Sequence, residues 1–372
     1  MFAVAFSLAT KDYFSTTAGG VKSGGGVPMV TSVVRVLRRM PDRRIGGMSH
    51  SQDVPLSDLR VISLPEQQLF DEISAETTDF TCVLWDLENE PEGCAREDVD
   101  IAVAPYYSGR WLKDPSVVRD VSLVQLQSTG FDGVPEKIGE DVALAAGGWV
   151  HAAGTAEIAL GLIIAAQRNL DRAVLQQHEG VYKRYFSRAV ADSRVTVVGV
   201  GEIGGAVISR LAPFEVELTR VASHAREDEV GRIHGIDELD EILPRTDILV
   251  LALPLGDATR DLVGERTLAL LPDDALVVNV GRGPVVNTDA LTAEVVSGRL
   301  RCALDVVDPE PLPGDHSLMS AAGSIVLPHV GGSNVSFRPR VRKLILEQLE
   351  LIRQGRSPQF LVQPGRLALQ DE

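Results

Sequence analysis

The chain has 372 residues, enough for two domains that each bury a core, and 44% of its residues are hydrophobic. Its formal net charge of −16 repels phosphate backbones and anionic lipid surfaces, which argues against a nucleic-acid or membrane partner. The three cysteines (Cys82, Cys94 and Cys302) have no C-x-x-C spacing, so they predict neither a disulfide framework nor a metal site, and they fit a reducing cytoplasm.

The first 48 residues differ in composition from the rest. They contain seven Lys or Arg against two Asp, four of the five methionines and the tract GGVKSGGGVP. Such a segment cannot bury much apolar surface, so we predict that residues 1–48 are a disordered extension; a basic arm that contacts a partner is the alternative. The opening MFAVAFSLAT lacks the cationic start of a secretion signal, and we expect no transmembrane helix.

From residue 59 onward, apolar runs rich in β-branched residues alternate with helical stretches, as in buried parallel sheets. The runs of the first half are LRVISL (59–64), FTCVLWDL (80–87), VDIAVAP (99–105), VSLVQLQS (121–128) and DVALAA (141–146). Those of the second half are RVTVVGV (194–200), EVELTRV (215–221), DILVLALP (247–254), ALVVNV (275–280), RCALDVV (301–307) and SIVLP (324–328). This alternation predicts an α/β fold with doubly wound parallel sheets.

Two long helices are predicted outside this alternation. The stretch GTAEIALGLIIAAQRNL (154–170) is apolar nearly all round and has Thr155 as a candidate N-cap, which indicates a helix buried between two domains. Near the C-terminus, one face of a second helix carries four apolar residues. We expect this amphipathic helix to return to the first half of the chain. Its apolar residues are Val341, Ile345, Leu349 and Ile352.

The stretch GVGEIG joins the strand at 194–200 to a predicted helix. Three glycines at this spacing are weak evidence alone, because a structural turn also explains them, but the strand before and the helix after supply the required context. Gly199 allows a tight turn, Gly201 lets the backbone approach a pyrophosphate, and Gly204 lets the helix pack closely on the strand. We therefore predict dinucleotide binding by Gly199, Gly201, Glu202, Ile203 and Gly204.

The end of the next strand bears on the choice between NAD and NADP. No carboxylate is placed there to hold a ribose 2′-hydroxyl; Ala222 and Ser223 occupy the position, followed by His224 and Arg226. A hydroxyl and two basic groups predict a preference for NADP(H), with NAD(H) possible. The alternative is that His224 and Arg226 are solvated loop residues.

Polar residues follow three further strands, whose carboxyl ends should meet at one crevice. Arg282 follows the run at 275–280, Asp305 and Glu310 lie in ALDVVDPEPLP, and His329 precedes a glycine pair that we expect to be flexible. Each has a simpler explanation alone, as a surface charge, a turn residue or a loop histidine. Because they converge on one crevice, we interpret them together as a site.

From about residue 59 to 363 the chain resembles the D-isomer-specific 2-hydroxyacid dehydrogenase family, which includes glyoxylate/hydroxypyruvate reductases and phosphoglycerate dehydrogenases. The matching motifs are GVGEIG, LPLGDAT, NVGRG, ALDVVDPEPLP and PHVGG, in the order and spacing of that family. LQSTGFDGV resembles its substrate-carboxylate loop, and GGWVHAAGTAEIAL the entry to its interdomain helix. The resemblance implies a Rossmann dinucleotide-binding domain (151–329) inserted in a flavodoxin-like substrate domain (57–150 plus 330–372).

The same resemblance implies roles for individual residues. Arg282, Glu310 and His329 match the catalytic arginine, glutamate and histidine, and Asp305 matches the aspartate that holds the nicotinamide carboxamide. Further matches are Leu253, Pro254 and Thr259 beside the adenosine half, Val280 and Gly281 near the nicotinamide, and Thr129, Gly130 and Arg282 on the substrate. The implied reaction is reduction of a small 2-oxo acid to the D-2-hydroxy acid and its reverse, in a homodimer joined through the cofactor domain.

Two other functions stay open. The family includes nucleotide-sensing co-repressors, so a regulatory protein of this fold without significant turnover is the alternative from another class. A formate dehydrogenase needs no proton donor, and Glu310 beside His329 argues against it. The identity of the 2-hydroxy acid does not follow from the sequence; Tyr106, Tyr107 and Trp149 are candidates for shaping the pocket.

Overall fold

The computed structural model describes residues 53–106 and 109–369, and these residues form one compact unit. The predictions for residues 1–48 and for Tyr107 lie outside the described residues. The strands are β1 (Val54–Pro55), β2 (Val61–Leu64), β3 (Thr81–Leu84), β4 (Ile101–Val103), β5 (Leu123–Gln125), β6 (Ala143–Ala145), β7 (Arg194–Val198), β8 (Glu217–Ala222), β9 (Arg226–Asp228), β10 (Gly231–Gly235), β11 (Ile248–Leu251), β12 (Leu276–Asn279), β13 (Arg301–Leu304), β14 (Ser324–Val326), β15 (Leu361–Gln363) and β16 (Leu367–Ala368). The α-helices are α1 (Gln67–Ser74), α2 (Pro135–Ile138), α3 (Ala152–Arg168), α4 (Leu170–His178), α5 (Glu202–Leu211), α6 (Leu239–Ile242), α7 (Glu265–Leu270), α8 (Thr288–Val296) and α9 (Phe337–Arg353).

The first half of the chain, together with β15 near the C-terminus, builds a six-stranded sheet in the order β15-β6-β5-β4-β2-β3. Strands β2 to β6 are parallel and coincide with the five apolar runs predicted there. Their order is that of a flavodoxin-like doubly wound sheet, in which ligands bind beyond the carboxyl ends of the strands. The edge strand β15, antiparallel to β6, was not predicted.

The second half builds an eight-stranded sheet in the order β14-β13-β12-β11-β7-β8-β10-β9. The order from β10 to β13 is the Rossmann order, and it reverses between β7 and β11. All six predicted runs of this half are strands, so the α/β, doubly wound fold class is confirmed. The hairpin of β9 and β10 was missed, because the exposed, charged β9 gives no apolar run.

The long apolar helix differs from its prediction in where it begins. A 3₁₀ turn at Gly148–His151 leads into α3 at Ala152, so the buried Thr155 lies inside the helix and is not its N-cap. The helix packs on α5 and on the eight-stranded sheet. Contrary to the prediction, the segment Gly148–Arg168 is long and apolar enough to be a candidate membrane span. However, 56% of its apolar stretch is buried inside the protein, as in a core helix.

The C-terminal helix α9 packs where the sequence predicts. Val341, Ile345, Leu349 and Ile352 are buried against residues of the six-stranded sheet, such as Ile62. The chain thus crosses to the eight-stranded sheet and returns. This arrangement places the carboxyl ends of strands from both sheets around one cleft.

Candidate active site in the cleft

A cavity of about 810 Å³ is lined by residues from both sheets. Thr129 and Gly130, which follow β5, lie on one side, and residues that follow β12, β13 and β14 lie on the other. The structure therefore brings nine of the candidate site residues that the sequence singled out into one cleft. Those in the lining are Tyr106, Thr129, Gly130, Ile203, Val280, Arg282, Asp305, Glu310 and His329. Trp149 is not among them; its ring packs against the ammonium group of Lys343 at 5.2 Å, outside the cleft.

His329 and Glu310 form a direct pair. The distance from His329 Nδ1 to Glu310 Oε1 is 2.7 Å, and both side chains are about half exposed, 47% and 43%. His329 has a φ of 52°, a left-handed conformation unusual for a residue with a Cβ, and its N–H donates to the Asp305 carbonyl at 2.9 Å. With Nδ1 bound to the carboxylate, Nε2 is the ring atom available for proton exchange.

The buried carboxylate of Asp305 fixes the turn that follows His329. Its Oδ1 accepts the N–H of Val330 at 2.8 Å, and its Oδ2 accepts that of Gly331 at 2.9 Å. A Cβ on Gly331 would lie 2.7 Å from this Oδ2, and one on Gly332 would lie 2.7 Å from His151 Nδ1. Close packing therefore requires glycine at both positions, and the flexibility expected from the sequence stays a prediction. A contact from Asp305 to a nicotinamide carboxamide would use its remaining lone pairs.

Arg282 is presented by a turn that Asn279 holds. The buried side chain of Asn279 accepts the N–H of Gly281 at 3.1 Å and donates to the carbonyl of Arg282 at 2.9 Å. The guanidinium donates from Nε to Asp132 Oδ2 at 2.7 Å and from Nη1 to the Gly281 carbonyl at 2.8 Å. Its Nη2 lies against Gly130, where there is no room for a Cβ. The sequence analysis missed Asp132, although it lies in the quoted motif LQSTGFDGV.

The loop that contains Thr129 and Gly130 is held by its own side chains. Thr129 Oγ1 donates to the Gly148 carbonyl and Ser128 Oγ to the Gly130 carbonyl, both at 2.7 Å. Within the described part of the chain, the main-chain N–H groups of Thr129 and Gly130 have no acceptor. They are therefore available to an anion beside Arg282 Nη2.

The glycine-rich turn between β7 and α5 fits a dinucleotide. Gly199 has a φ of 104°, and a Cβ there would collide with the Ala252 carbonyl of the neighbouring strand. A Cβ on Gly204 would collide with the Gly199 carbonyl, so the helix packs directly on the turn. Gly201, by contrast, faces open space, as the approach of a pyrophosphate requires. Glu202 begins the helix beside it.

The other predicted cofactor residues lie at the ends of β8, β11 and β12. Ser223 and His224 are exposed directly after β8, and Arg226 begins β9, with its Nη1 3.4 Å from the His224 carbonyl. Thr259 Oγ1 donates to the Pro254 carbonyl at 2.8 Å and so shapes the loop after Leu253. A Cβ on Gly281 would lie 2.6 Å from the Leu253 carbonyl, so these two strand ends are in close contact.

His151 was missed by the sequence analysis, which used its motif GGWVHAAGT only as a helix entry. The imidazole lines the cleft, stacks on Phe337 at 5.1 Å and lies 5.4 Å from the Tyr106 ring. Its buried Nδ1 has no hydrogen-bond partner among the described residues. Burial, and then repulsion by Arg282 and His329, lower the pKa of His151 from 6.5 to about 4 against a smaller, opposing effect of the Gly332 backbone. His151 is therefore neutral at pH 7.

The sequence is similar to those of known proteins. Residues 160–331 match the pattern of the "D-isomer specific 2-hydroxyacid dehydrogenase, NAD binding domain" family. An uncharacterized protein from the proB 3′ region of Corynebacterium melassecola is 30% identical over 70% of this chain and 88% of its own length. Glyoxylate/hydroxypyruvate reductase B of Pectobacterium atrosepticum is 31% identical over 56% of this chain and 68% of its own.

The fold is also similar to that of solved structures. A D-isomer specific 2-hydroxyacid dehydrogenase of Xanthobacter autotrophicus, crystallised with NADPH and MES, has a TM-score of 0.71 and 25% identity. The match covers 82% of this chain and 98% of that one.

Proposed function

Because the chain belongs to the D-isomer specific 2-hydroxyacid dehydrogenase family, we propose that it reduces a small 2-oxo acid to the D-2-hydroxy acid, and catalyses the reverse, with His329 as acid and base. As in its relatives, the activity is that of an oxidoreductase acting on a CH–OH group with NAD(P). The observation that carries the proposal is the His329–Glu310 pair at 2.7 Å, which shares one cleft with Arg282.

When bound, the nicotinamide supplies the hydride for the carbonyl carbon. The residues of the chain orient the substrate and neutralise the charge that develops. The N–H groups of Thr129 and Gly130, with Arg282, bind the carboxylate, and Arg282 polarises the carbonyl. His329 donates a proton from Nε2 to the carbonyl oxygen, and Glu310 stabilises the imidazolium through Nδ1. In oxidation, His329 takes the proton back.

The proposed substrates are glyoxylate, hydroxypyruvate and similar short 2-oxo acids. The names of relatives support this range, among them the reductase of Pectobacterium atrosepticum. The proposed cofactor preference is for NADP(H), supported by the exposed cluster of Ser223, His224 and Arg226 after β8. The NADPH-bound structure from Xanthobacter autotrophicus supports it further. The nearby carboxylate of Asp228 is already bound within the chain, since its two oxygens accept from Arg220 at 2.7 and 2.9 Å.

We further propose a homodimer in a reducing cytoplasm. The support for the dimer is an exposed apolar surface on α4 and the segment after it, in which Tyr182 is 97% exposed and Phe186 fully so. Apolar side chains clustered in this way are typical of a protein interface. We call this surface the α4 patch; it consists of Leu170, Val174, Leu175, Val181, Tyr182 and Phe186. The support for the location is the cysteine pattern of the sequence.

The test is consumption of NADPH and of NADH with glyoxylate, hydroxypyruvate and pyruvate. We expect turnover with a higher kcat/KM for NADPH, and we expect His329→Gln to lose about 10²-fold or more in kcat because the proton donor is removed. Binding of NADPH, followed by its fluorescence, should be unchanged in that variant. His178→Gln, which alters an exposed histidine on α4, is the matched control and should behave as wild type.

Three outcomes would contradict parts of the proposal. A wild-type protein that binds NADPH but consumes none with any of these acids favours the nucleotide-sensing alternative. Equal efficiency with both cofactors rejects the NADP preference. Activity of His329→Gln within a few-fold of wild type removes His329 from the mechanism.

A further inference from the structure

The bond between Arg282 and Asp132 joins the two sheets. Asp132 follows β5 of the six-stranded sheet and Arg282 follows β12 of the eight-stranded sheet, 150 residues further along the chain. Both residues line the cleft. The bond therefore exists only where the carboxyl ends of the two sheets face each other.

The guanidinium of Arg282 is held on two of its edges. Nε donates to Asp132 at 2.7 Å, and Nη1 donates to the carbonyl of Gly281 at 2.8 Å. The remaining nitrogen, Nη2, lies against Gly130. Within the described residues, the N–H groups of Gly130 and of its neighbour Thr129 have no acceptor. Because the group is planar, fixing two edges also fixes the direction of the third.

We propose that Asp132 is a positioning residue for Arg282: from the opposite side of the cleft, it aims Nη2 at the place where Thr129 and Gly130 receive a substrate carboxylate. The inference rests on the proposed function and adds a residue to it. Since the partners lie on different sheets, the correct direction of Arg282 depends on closure of the cleft, which links substrate enclosure to assembly of the site.

A purely structural ion pair predicts a different result. The side chains of Arg282 and Asp132 are 27% and 35% exposed, and ion pairs near the surface contribute about 0–1 kcal/mol to stability. Removing Asp132 should therefore leave the fold nearly unchanged. A misdirected guanidinium, in contrast, can cost one to two orders of magnitude in rate.

The experiment compares Asp132→Ala with Asp132→Asn in the NADPH-dependent reduction of the best 2-oxo acid. Asp132→Ala removes the acceptor, so we expect kcat/KM to fall about tenfold or more. Asp132→Asn keeps an oxygen that can accept from Nε, so it should stay within about threefold of wild type. The thermal unfolding midpoint and the affinity for NADPH should change little in either variant. Glu140→Ala, at an exposed carboxylate of the same half of the chain, should match wild type.

A second measurement does not depend on turnover. Oxamate carries the carboxylate and carbonyl of a 2-oxo acid but is not reduced, and its binding to the NADPH complex can be followed by calorimetry. We expect Asp132→Ala to weaken oxamate binding at least fivefold and Asp132→Asn to weaken it much less.

The outcomes separate the two proposals. Wild-type activity and oxamate affinity in Asp132→Ala would overturn the positioning role and leave the proposed function intact. An equal loss in both variants would also overturn it, because the hydrogen bond would not be what matters. A wild-type protein that binds oxamate without turnover rejects the proposed reaction, and the oxamate series still tests Asp132. A wild-type protein that does not bind oxamate rejects both.

Discussion

At the scale of single residues, the shared position of His329, Glu310 and Arg282 in one cleft could be predicted. Each of them follows an apolar run that ends at the same edge of a sheet. His151 and Asp132 could not be predicted. The environment of His151 is made by rings at positions 106 and 337, and Asp132 gains its role from a guanidinium 150 residues away. Such contacts depend on how the two halves of the chain meet, which no local pattern encodes.

His151 gives the protein a specific dependence of stability on pH. The unfolded chain holds this histidine at its ordinary pKa near 6.5, while the folded protein lowers the pKa to about 4. Between these values the unfolded state binds more protons, so stability is lost as the pH falls through this window and is unaffected above it. The loss from pH 7 to pH 5 should be about 2 kcal/mol for this group.

The variant His151→Phe tests this dependence. It keeps an aromatic ring against Phe337 and removes a buried Nδ1 that no group in the described part of the chain binds, so it should fold at pH 7 with stability equal to or above that of wild type. Urea unfolding at pH 7 and pH 5 should show a smaller loss of free energy in the variant than in wild type, by about 2 kcal/mol. His178→Gln should lose as much as wild type. Equal losses in His151→Phe and wild type would show that burial does not hold His151 neutral.

At the scale of elements, period and composition predicted the buried strands better than the edges. The eleven predicted strands are apolar runs, whereas β9 is fully exposed and charged, β10 has the mixed sequence GRIHG and β15 is only half buried. The start of α3 was also misjudged, because the 3₁₀ turn at Gly148–His151 continues directly into the helix without a capping side chain. Edge strands and helix starts are fixed by tertiary packing, and the sequence signal for them is correspondingly weak.

Two glycines in the first turn of α5, Gly204 and Gly205, allow a controlled test of how closely this helix packs on the turn that precedes it. A Cβ on Gly204 would collide with the backbone of Gly199, whereas the nearest atom to a Cβ on Gly205 is the Val200 carbonyl oxygen at 4.0 Å. We expect Gly204→Ala to destabilise the protein by about 1–3 kcal/mol and to weaken NADPH binding, because the turn must move. Gly205→Ala should stabilise it by up to about 1 kcal/mol through helix propensity. Urea unfolding of both variants checks this, and a Gly204→Ala protein as stable as wild type would show that the turn relaxes freely.

At the scale of the whole molecule, the position of the cleft follows from the winding of the two sheets. The parallel strands of each sheet reverse their order once, between β2 and β4 in one and between β7 and β11 in the other, and ligands bind beyond strand ends at such reversals. The sequence predicted the winding, since its apolar runs alternate with helices. It did not predict which residues of the two sheets would touch across the cleft, because that depends on how α3 and α9 carry the chain from one sheet to the other and back.

The α4 patch predicts the assembly of the molecule. In a single chain the rings of Tyr182 and Phe186 are exposed to solvent. Contact with a second copy of the chain would bury this apolar surface. We expect light scattering after size exclusion to give the mass of two chains for wild type and of one chain for the double variant Tyr182→Glu/Phe186→Glu. Val230→Glu, at an exposed residue of the turn between β9 and β10, should leave the dimer intact. A wild-type protein that stays a single chain at tens of micromolar, or a double variant that keeps the mass of two, would show that this surface does not hold two copies together.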